Sequence, residues 1–224
     1  MKLTDLVKAD PSRLYGIDIS TYQGKAPSIG WDKAKAAGLS FCYCKATEGM
    51  TVQDSQFRDN YQRLHQAGIP CGAYHFFRGG NDGAKQSDNF LTQMFDLFQP
   101  GDLPPVIDVE ALNDKTPMEK QIDYILEWCM IVEFKLCVHP VIYTSLRVVR
   151  DLFKNTTRFK DLNLWVVDYR PGVTTPRLPP GFTNWYFWQF SDKCEVPGFK
   201  GNVDVNRFNG GDVSMNEFLG LSYY

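Results

Sequence analysis

A chain of 224 residues with 43% hydrophobic and 22% charged side chains has the length and composition of one folded soluble domain. Its formal net charge of −2, with no Lys/Arg-rich run, excludes electrostatic capture of nucleic acid as the main function. No apolar stretch is long enough to span a membrane, and none in the first residues reads as a secretory signal.

Strand and helix patterns alternate along the chain. Residues 14–19 read as a strand and 31–37 as a short helix closed by Gly38. A strand at 40–45 precedes a helix at 55–67, closed by Gly68, and a strand at 71–76 precedes a helix at 83–98. After the stiff Pro104-Pro105 step comes a strand at 106–110. Pro117 opens a long helix in which Ile122, Ile125, Leu126, Cys129 and Met130 form one apolar stripe. Further strands are expected at 141–144, 164–168, 186–190 and 203–205, joined late in the chain by Pro-rich loops such as 171–181. Such alternation implies a parallel sheet, and about eight strands in one domain favour closure. The expected fold is α/β, a single irregular (β/α) TIM-like barrel whose helical layer thins in the last quarter. Expected boundaries are an extension at 1–13, the barrel at 14–212 and a tail at 213–224, with no separate cell-wall-binding domain.

Six cysteines are present, none in a CxxC pair, and most lie in apolar segments. That pattern predicts buried, reduced thiols and argues against a zinc ribbon. No metal and no other cofactor are expected. His65 and His139 fall in helix and loop contexts, so His75 in YHFF reads as a hydrogen-bonding cleft or core histidine.

Polar residues collect where the strands stop. Asp18 closes the first, Tyr74 and His75 the third, Asp108 and Glu110 the fourth, and Tyr143 the fifth. Asp168 and Tyr169 follow at the sixth, Trp188 and Gln189 at the seventh, and Asp204 at the eighth. In a barrel of this class those ends form the active-site face. A lone aspartate there is as readily a helix cap or turn residue. Asp108-Val109-Glu110 differs, because alternation puts both carboxylates on one face, roughly 6.5–7 Å apart at Cα. Two like charges held close raise the pKa of one, a route to a protonated acid near neutral pH. A same-face acid pair also occurs in structural ion pairs, and spacing alone leaves both readings open. The absence of a GxSxG turn argues against acyl transfer through Ser20.

Together the segments GIDISTYQG (16–24), KATEG (45–49), GAYHFFR (72–78), PPVIDVE (104–110), VIYTS (141–145), LWVVDY (164–169), WQFS (188–191) and VDVNRF (203–208) resemble the glycoside hydrolase family 25 lysozymes, the N-acetylmuramidases. The resemblance covers residues 15–210. It implies an irregular β/α barrel that cleaves the β-1,4 bond between N-acetylmuramic acid and N-acetylglucosamine, with retention of configuration. It makes Glu110 the general acid and Asp108 its supporting carboxylate, with Asp18 and Asp204 as further cleft acids. Tyr74, Tyr143 and Gln189 match the sugar-binding groove, and Tyr169 and Trp188 complete the expected substrate-binding set. Asp168 departs from the family pattern, where a small residue is more usual.

Retention allows a direct carboxylate nucleophile or attack by the substrate's own acetamido oxygen, and the close acid pair favours assistance. The alternatives are a catalytically silent glycan-binding barrel and a chitinase-type glycosidase. The latter usually carries a longer DxxDxDxE run, absent before Asp108. The expected partner is the bacterial peptidoglycan strand, met by a monomer. An immunity protein or delivery machine would accompany it if the chain is a secreted effector. The expected setting is synthesis in the cytoplasm and action on the wall after holin-type release or dedicated secretion.

Overall fold

The computed structural model describes residues 1–152 and 157–219. Its elements run in chain order: α1 (Leu3–Ala9), β1 (Tyr15–Ile19), α2 (Trp31–Ala36), β2 (Leu39–Glu48), β3 (Val52–Gln53), α3 (Phe57–Ala67), β4 (Cys71–Arg78), α4 (Gly83–Met94) and β5 (Val106–Ala111). Then come α5 (Met118–Leu136), β6 (Val141–Ser145), α6 (Leu146–Leu152), β7 (Asn163–Val167), β8 (Phe187–Glu195), β9 (Asn202–Phe208) and α7 (Asp212–Phe218). Pro117 stands just before α5 with extended backbone, so it caps the helix from outside.

Eight strands close in the order β1-β2-β4-β5-β6-β7-β8-β9, with β9 returning to β1 and the short β3 flanking β2. Neighbours from β1 through β8 pair in parallel. The alternating pattern predicts that every strand is parallel. β9 departs from this and runs antiparallel to both β8 and β1. The link from Glu195 to Asn202 is a short turn, and a parallel crossover needs a dozen or more residues. As expected, the helical layer is thin in the last quarter: the described residues place no helix between β7 and β8 or between β8 and β9. No helix among them is long and apolar enough to cross a membrane.

The strands sort their side chains by alternation. Ile17, Cys42, Cys44, Ala73, Ile107, Val109 and Val166 face outward into the core beneath the helices. Phe41, Tyr43, Leu103, Val106, Trp165, Phe187 and Phe208 face inward and pack as an aromatic plug. Among its ring pairs, Tyr43 lies 4.8 Å from Trp165 and Phe41 5.2 Å from Phe187. Met215 of α7 joins the plug, and Phe218 stacks on Tyr186 at 4.7 Å. At the other end of the chain, α1 buries Leu3, and the Lys2 backbone forms an isolated parallel β-bridge with that of Glu195. All six cysteines are unpaired, and Cys137, at the end of α5, is the exposed one.

Two inward glycines make room for the plug. A Cβ on Gly16 would sit 2.2 Å from the Phe41 ring, and one on Gly72 would sit 2.3 Å from Tyr43 and 2.8 Å from Leu103. Neither ring can withdraw, because each is fully buried among other rings. Gly72→Ala is therefore expected to cost about 1–3 kcal/mol of stability through overpacking. Urea denaturation monitored by tryptophan fluorescence reads the loss; an unchanged midpoint would contradict this packing.

Candidate active site

Above the aromatic plug, the same inward positions turn polar. One step further along each strand, β1 presents Asp18, β4 Tyr74, β5 Asp108, β6 Tyr143 and β8 Gln189. β9 runs the other way and contributes Asn206 and then Asp204, near its start rather than its end. The cleft is lined by Asp18, Tyr74, Asp108, Glu110, Tyr143 and Asp204, together with Tyr22, Lys45, Phe76 and Trp165. All four acids expected from the sequence thus meet in one depression at the C-terminal ends of the parallel strands.

Asp18 lies at the centre of a hydrogen-bond network. Its Oδ2 accepts from Gln189 Nε2 at 2.8 Å and from Asn206 Nδ2 at 2.7 Å. Asn206 Oδ1 in turn accepts from Trp165 Nε1 at 2.9 Å. Gln189 Oε1 accepts from the Tyr143 hydroxyl at 3.0 Å and from the Tyr169 hydroxyl. Both amides are therefore oriented so that their NH₂ groups must face Asp18. Across the β1–β9 ladder Asp18 stands directly opposite Asp204, and the two carboxyls share a hydrogen bond. Burial raises both, but only Asp18 has the two amide donors that stabilise an anion. The shared proton belongs on Asp204, which burial and then the charge of Asp18 push up to about 8.

Asp108 and Glu110 occupy unlike settings on one strand. Asp108 is buried, and its Oδ1 has no hydrogen-bond partner among the described residues. Burial first, then the charges of Glu110 and Asp18, hold its carboxyl well above the usual range. Glu110 opens to solvent at the mouth. Partial burial and then the charge of Asp18 raise its carboxyl too, against the pull of Arg147. A carboxylic acid so raised and so exposed is able to donate a proton to a ligand in the cleft.

Other expected residues take different places. Trp188 is not brought to the cleft. It neighbours Gln189 on β8, so alternation turns its ring outward, where it packs near Trp185 and Phe190 and donates to the Asp168 carbonyl at 2.9 Å. Tyr169 is 44% exposed beside Gln189. His75 is buried between Thr47 Oγ1 (2.7 Å) and Gln86 Oε1 (3.2 Å) and stacks on Trp128. Burial pushes its pKa down to about 4, leaving a neutral core residue. Lys45, Phe76, Trp165, Asn206 and Tyr22 were not singled out from the sequence. Spacing offered a signal for Asn206, two residues after Asp204 on the same face; Tyr22, on a loop, offered none.

A possible cation site lies at the barrel's other end, where His65, Cys71 and Asp102 place ligand atoms within 4.8 Å of one another. Both Asp102 oxygens are already engaged. One contacts His65 Nε2 at 2.7 Å, and the other accepts from the Tyr61 hydroxyl and the Gln99 N–H, each at 2.8 Å. Hydrogen bonding accounts for this cluster without an ion.

Asp168 is a loop clip. It is buried and accepts from Arg170 Nε and Nη2 and from the Arg177 backbone N–H at 3.0 Å, tying down the loop beside Tyr169. Burial works to raise its carboxyl, but the Arg170 side chain and the loop N–H groups outweigh it and hold the pKa at about 2. A depressed acid stabilises the fold above its unfolded value of 3.8, and the effect fades as pH falls from there toward about 2. Asp168→Asn is expected to cost roughly 1–2 kcal/mol at pH 7, after discounting for the exposed guanidiniums. Thermal melts should converge for the two proteins near pH 2; a gap independent of pH would contradict the ion-pair account.

Comparison with known proteins places the fold and cleft in context. The sequence pattern of the family described as Glycosyl hydrolases family 25 matches residues 17–199. Lysozyme M1 of Streptomyces globisporus is 35% identical over 210 residues, which cover 90% of this chain and 70% of the relative. The crystal structure of a bacterial lysozyme from Streptomyces coelicolor superposes with a TM-score of 0.84 at 32% identity, covering 95% of this chain and 98% of that one. A muramidase from Acremonium alcalophilum does so with a TM-score of 0.79 at 29% identity, covering 92% and 99%.

Proposed function

The chain belongs to glycosyl hydrolases family 25 and is a glycoside hydrolase, and on that premise we propose that it cleaves the β-1,4 bond between N-acetylmuramic acid and N-acetylglucosamine in peptidoglycan, with retention. The observation that carries the assignment of roles is the unlike setting of Asp108 and Glu110 on one strand. Glu110, exposed with a raised carboxyl, protonates the leaving glycosidic oxygen. Asp108, buried with an unpartnered Oδ1, accepts the acetamido N–H of the sugar in the cleft.

That bond turns the acetamido carbonyl oxygen toward C1. The oxygen attacks C1 as the C1–O bond breaks, and the leaving oxygen takes the proton of Glu110. A cyclic oxazolinium results, its charge balanced by the Glu110 carboxylate that the proton transfer leaves behind, while its N–H stays hydrogen-bonded to Asp108. Water then attacks C1 and opens the ring, giving its proton to Glu110 and restoring the acid. Two inversions give net retention. Burial first, and then the charge of Asp18, whose carboxylate form Gln189 and Asn206 stabilise, raise the pKa of Glu110 and favour its protonated form before the first step. Tyr74 offers its hydroxyl to the sugar from the cleft wall, whereas the hydroxyls of Tyr143 and Tyr169, which donate to Gln189, are left to accept from it.

Glu110→Gln is expected to remain folded and to lose about 10²–10⁴-fold in turnover, because the amide keeps the shape but cannot supply the proton. Turbidity clearing of purified cell walls checks the loss, and mass spectrometry of the released fragments should find muramic acid at the new reducing end. Glucosamine there would overturn the bond assignment. A glycan lacking the acetamido carbonyl should be turned over at least ~10²-fold more slowly; undiminished turnover would favour Asp108 as direct nucleophile.

A further inference from the structure

Five aromatic side chains line the cleft, and four have their faces or edges committed to the protein. Trp165 is buried against Tyr43 and Tyr143. Tyr143 meets the edge of Trp165 and spends its hydroxyl on Gln189. Tyr74 is half-buried between strands. Phe76 carries Lys45 Nζ at 4.9 Å and the Arg78 guanidinium at 4.7 Å from its ring centre. Tyr22 alone is open, 87% exposed, and is the most exposed large hydrophobic side chain among the described residues.

The turn that presents Tyr22 is held firmly. It is a 3₁₀ turn, Thr21–Gln23, closed by a reciprocal cap. Ser20 N–H donates to Gln23 Oε1 at 2.7 Å, and Tyr22 N–H donates to Ser20 Oγ at 3.3 Å. Just after β3, Asp54 Oδ2 accepts the Thr21 N–H at 2.8 Å. A large ring left in water forgoes the stabilisation of burial, and holding it on a doubly anchored turn also limits its freedom. That arrangement favours a ligand with a flat apolar face, for which the ring is already in place.

We infer that Tyr22 is a sugar-stacking platform, taking the C–H face of a pyranose ring of the same glycan at a position beside the scissile bond. Tyr22 follows β1, whereas Glu110 ends β5, three strands further round the barrel. The stacked ring is therefore held across the cleft from the proton donor and takes no part in the bond change. The inference rests on the muramidase reading for the identity of the glycan.

Two measurements test it. The first is calorimetric binding of soluble, uncross-linked peptidoglycan strands to the Glu110→Gln protein, alone and combined with Tyr22→Ala, Tyr22→Phe or Tyr22→Trp. Loss of the ring should weaken binding about tenfold, and either restored ring should recover most of it. The second is steady-state hydrolysis, where Tyr22→Ala should raise KM by a similar factor with little change in kcat. Phe134→Ala, removing a 79% exposed ring on α5 away from the cleft, is the control and should change neither. Binding by the Tyr22→Ala combination within twofold of its parent would overturn the platform, as would a Tyr22→Phe combination as weak as the alanine one. Absence of any glycan binding by the parent would overturn it as well. If the wild type released no reducing ends while its Glu110→Gln form still bound strands, the hydrolase reading would fail, and the binding series would still decide the role of Tyr22.

Discussion

Closure of the barrel rests on β9, which runs against its neighbours and seals the gap between β8 and β1. That one reversal decides who faces whom in the cleft. In the antiparallel ladder Asp204 falls directly opposite Asp18, and Asn206, two residues on, reaches back to the same aspartate. A parallel last strand would have carried Asp204 toward its far end and left Asp18 without its second amide donor. The amide clamp on Asp18 and its placement opposite Asp204 follow from how the barrel closes, and its charge adds to the burial that raises Asp204 and Glu110.

The interior is layered for the same reason. Alternation sends every second residue of each strand inward, and the lower inward positions are filled by rings. Those rings leave no room for a Cβ at Gly16 or Gly72. The next inward positions carry amides, hydroxyls and carboxyls. A rigid floor beneath a polar layer lets four acids sit close together without collapsing onto one another, because each strand fixes its own side chain. The cost is electrostatic: burial raises all four carboxyls, and repulsion between neighbouring acids adds to it at Asp108, Glu110 and Asp204. The same repulsion makes proton transfer available in the cleft.

Much of this was legible in the chain. Alternating strand and helix patterns pointed to a barrel, and the thinning of the helical layer in the last quarter was visible as Pro-rich loops such as 171–181. The four acids were legible because each ends or begins a strand and shares a motif with apolar neighbours. Trp188 shows where such reading stops. It shares the WQFS segment with Gln189, yet a one-residue step turns it to the opposite side of the sheet. Asp168 also ends a strand on the cleft face but departs from the family pattern, and two arginines from a loop without regular pattern hold it in a structural role.

What the sequence determined by itself were local matters: where strands run, which residues share a face, and that Asp108 and Glu110 lie on the same one. Tertiary structure alone decided the direction of β9, the pairing of Asp18 with Asp204, the amide clamp from Gln189 and Asn206, and the exposure of Tyr22. The physical reason is that strand periodicity is written within a few neighbouring residues. Partners such as Gln189 and Asp18 lie 171 positions apart and meet only when the sheet closes.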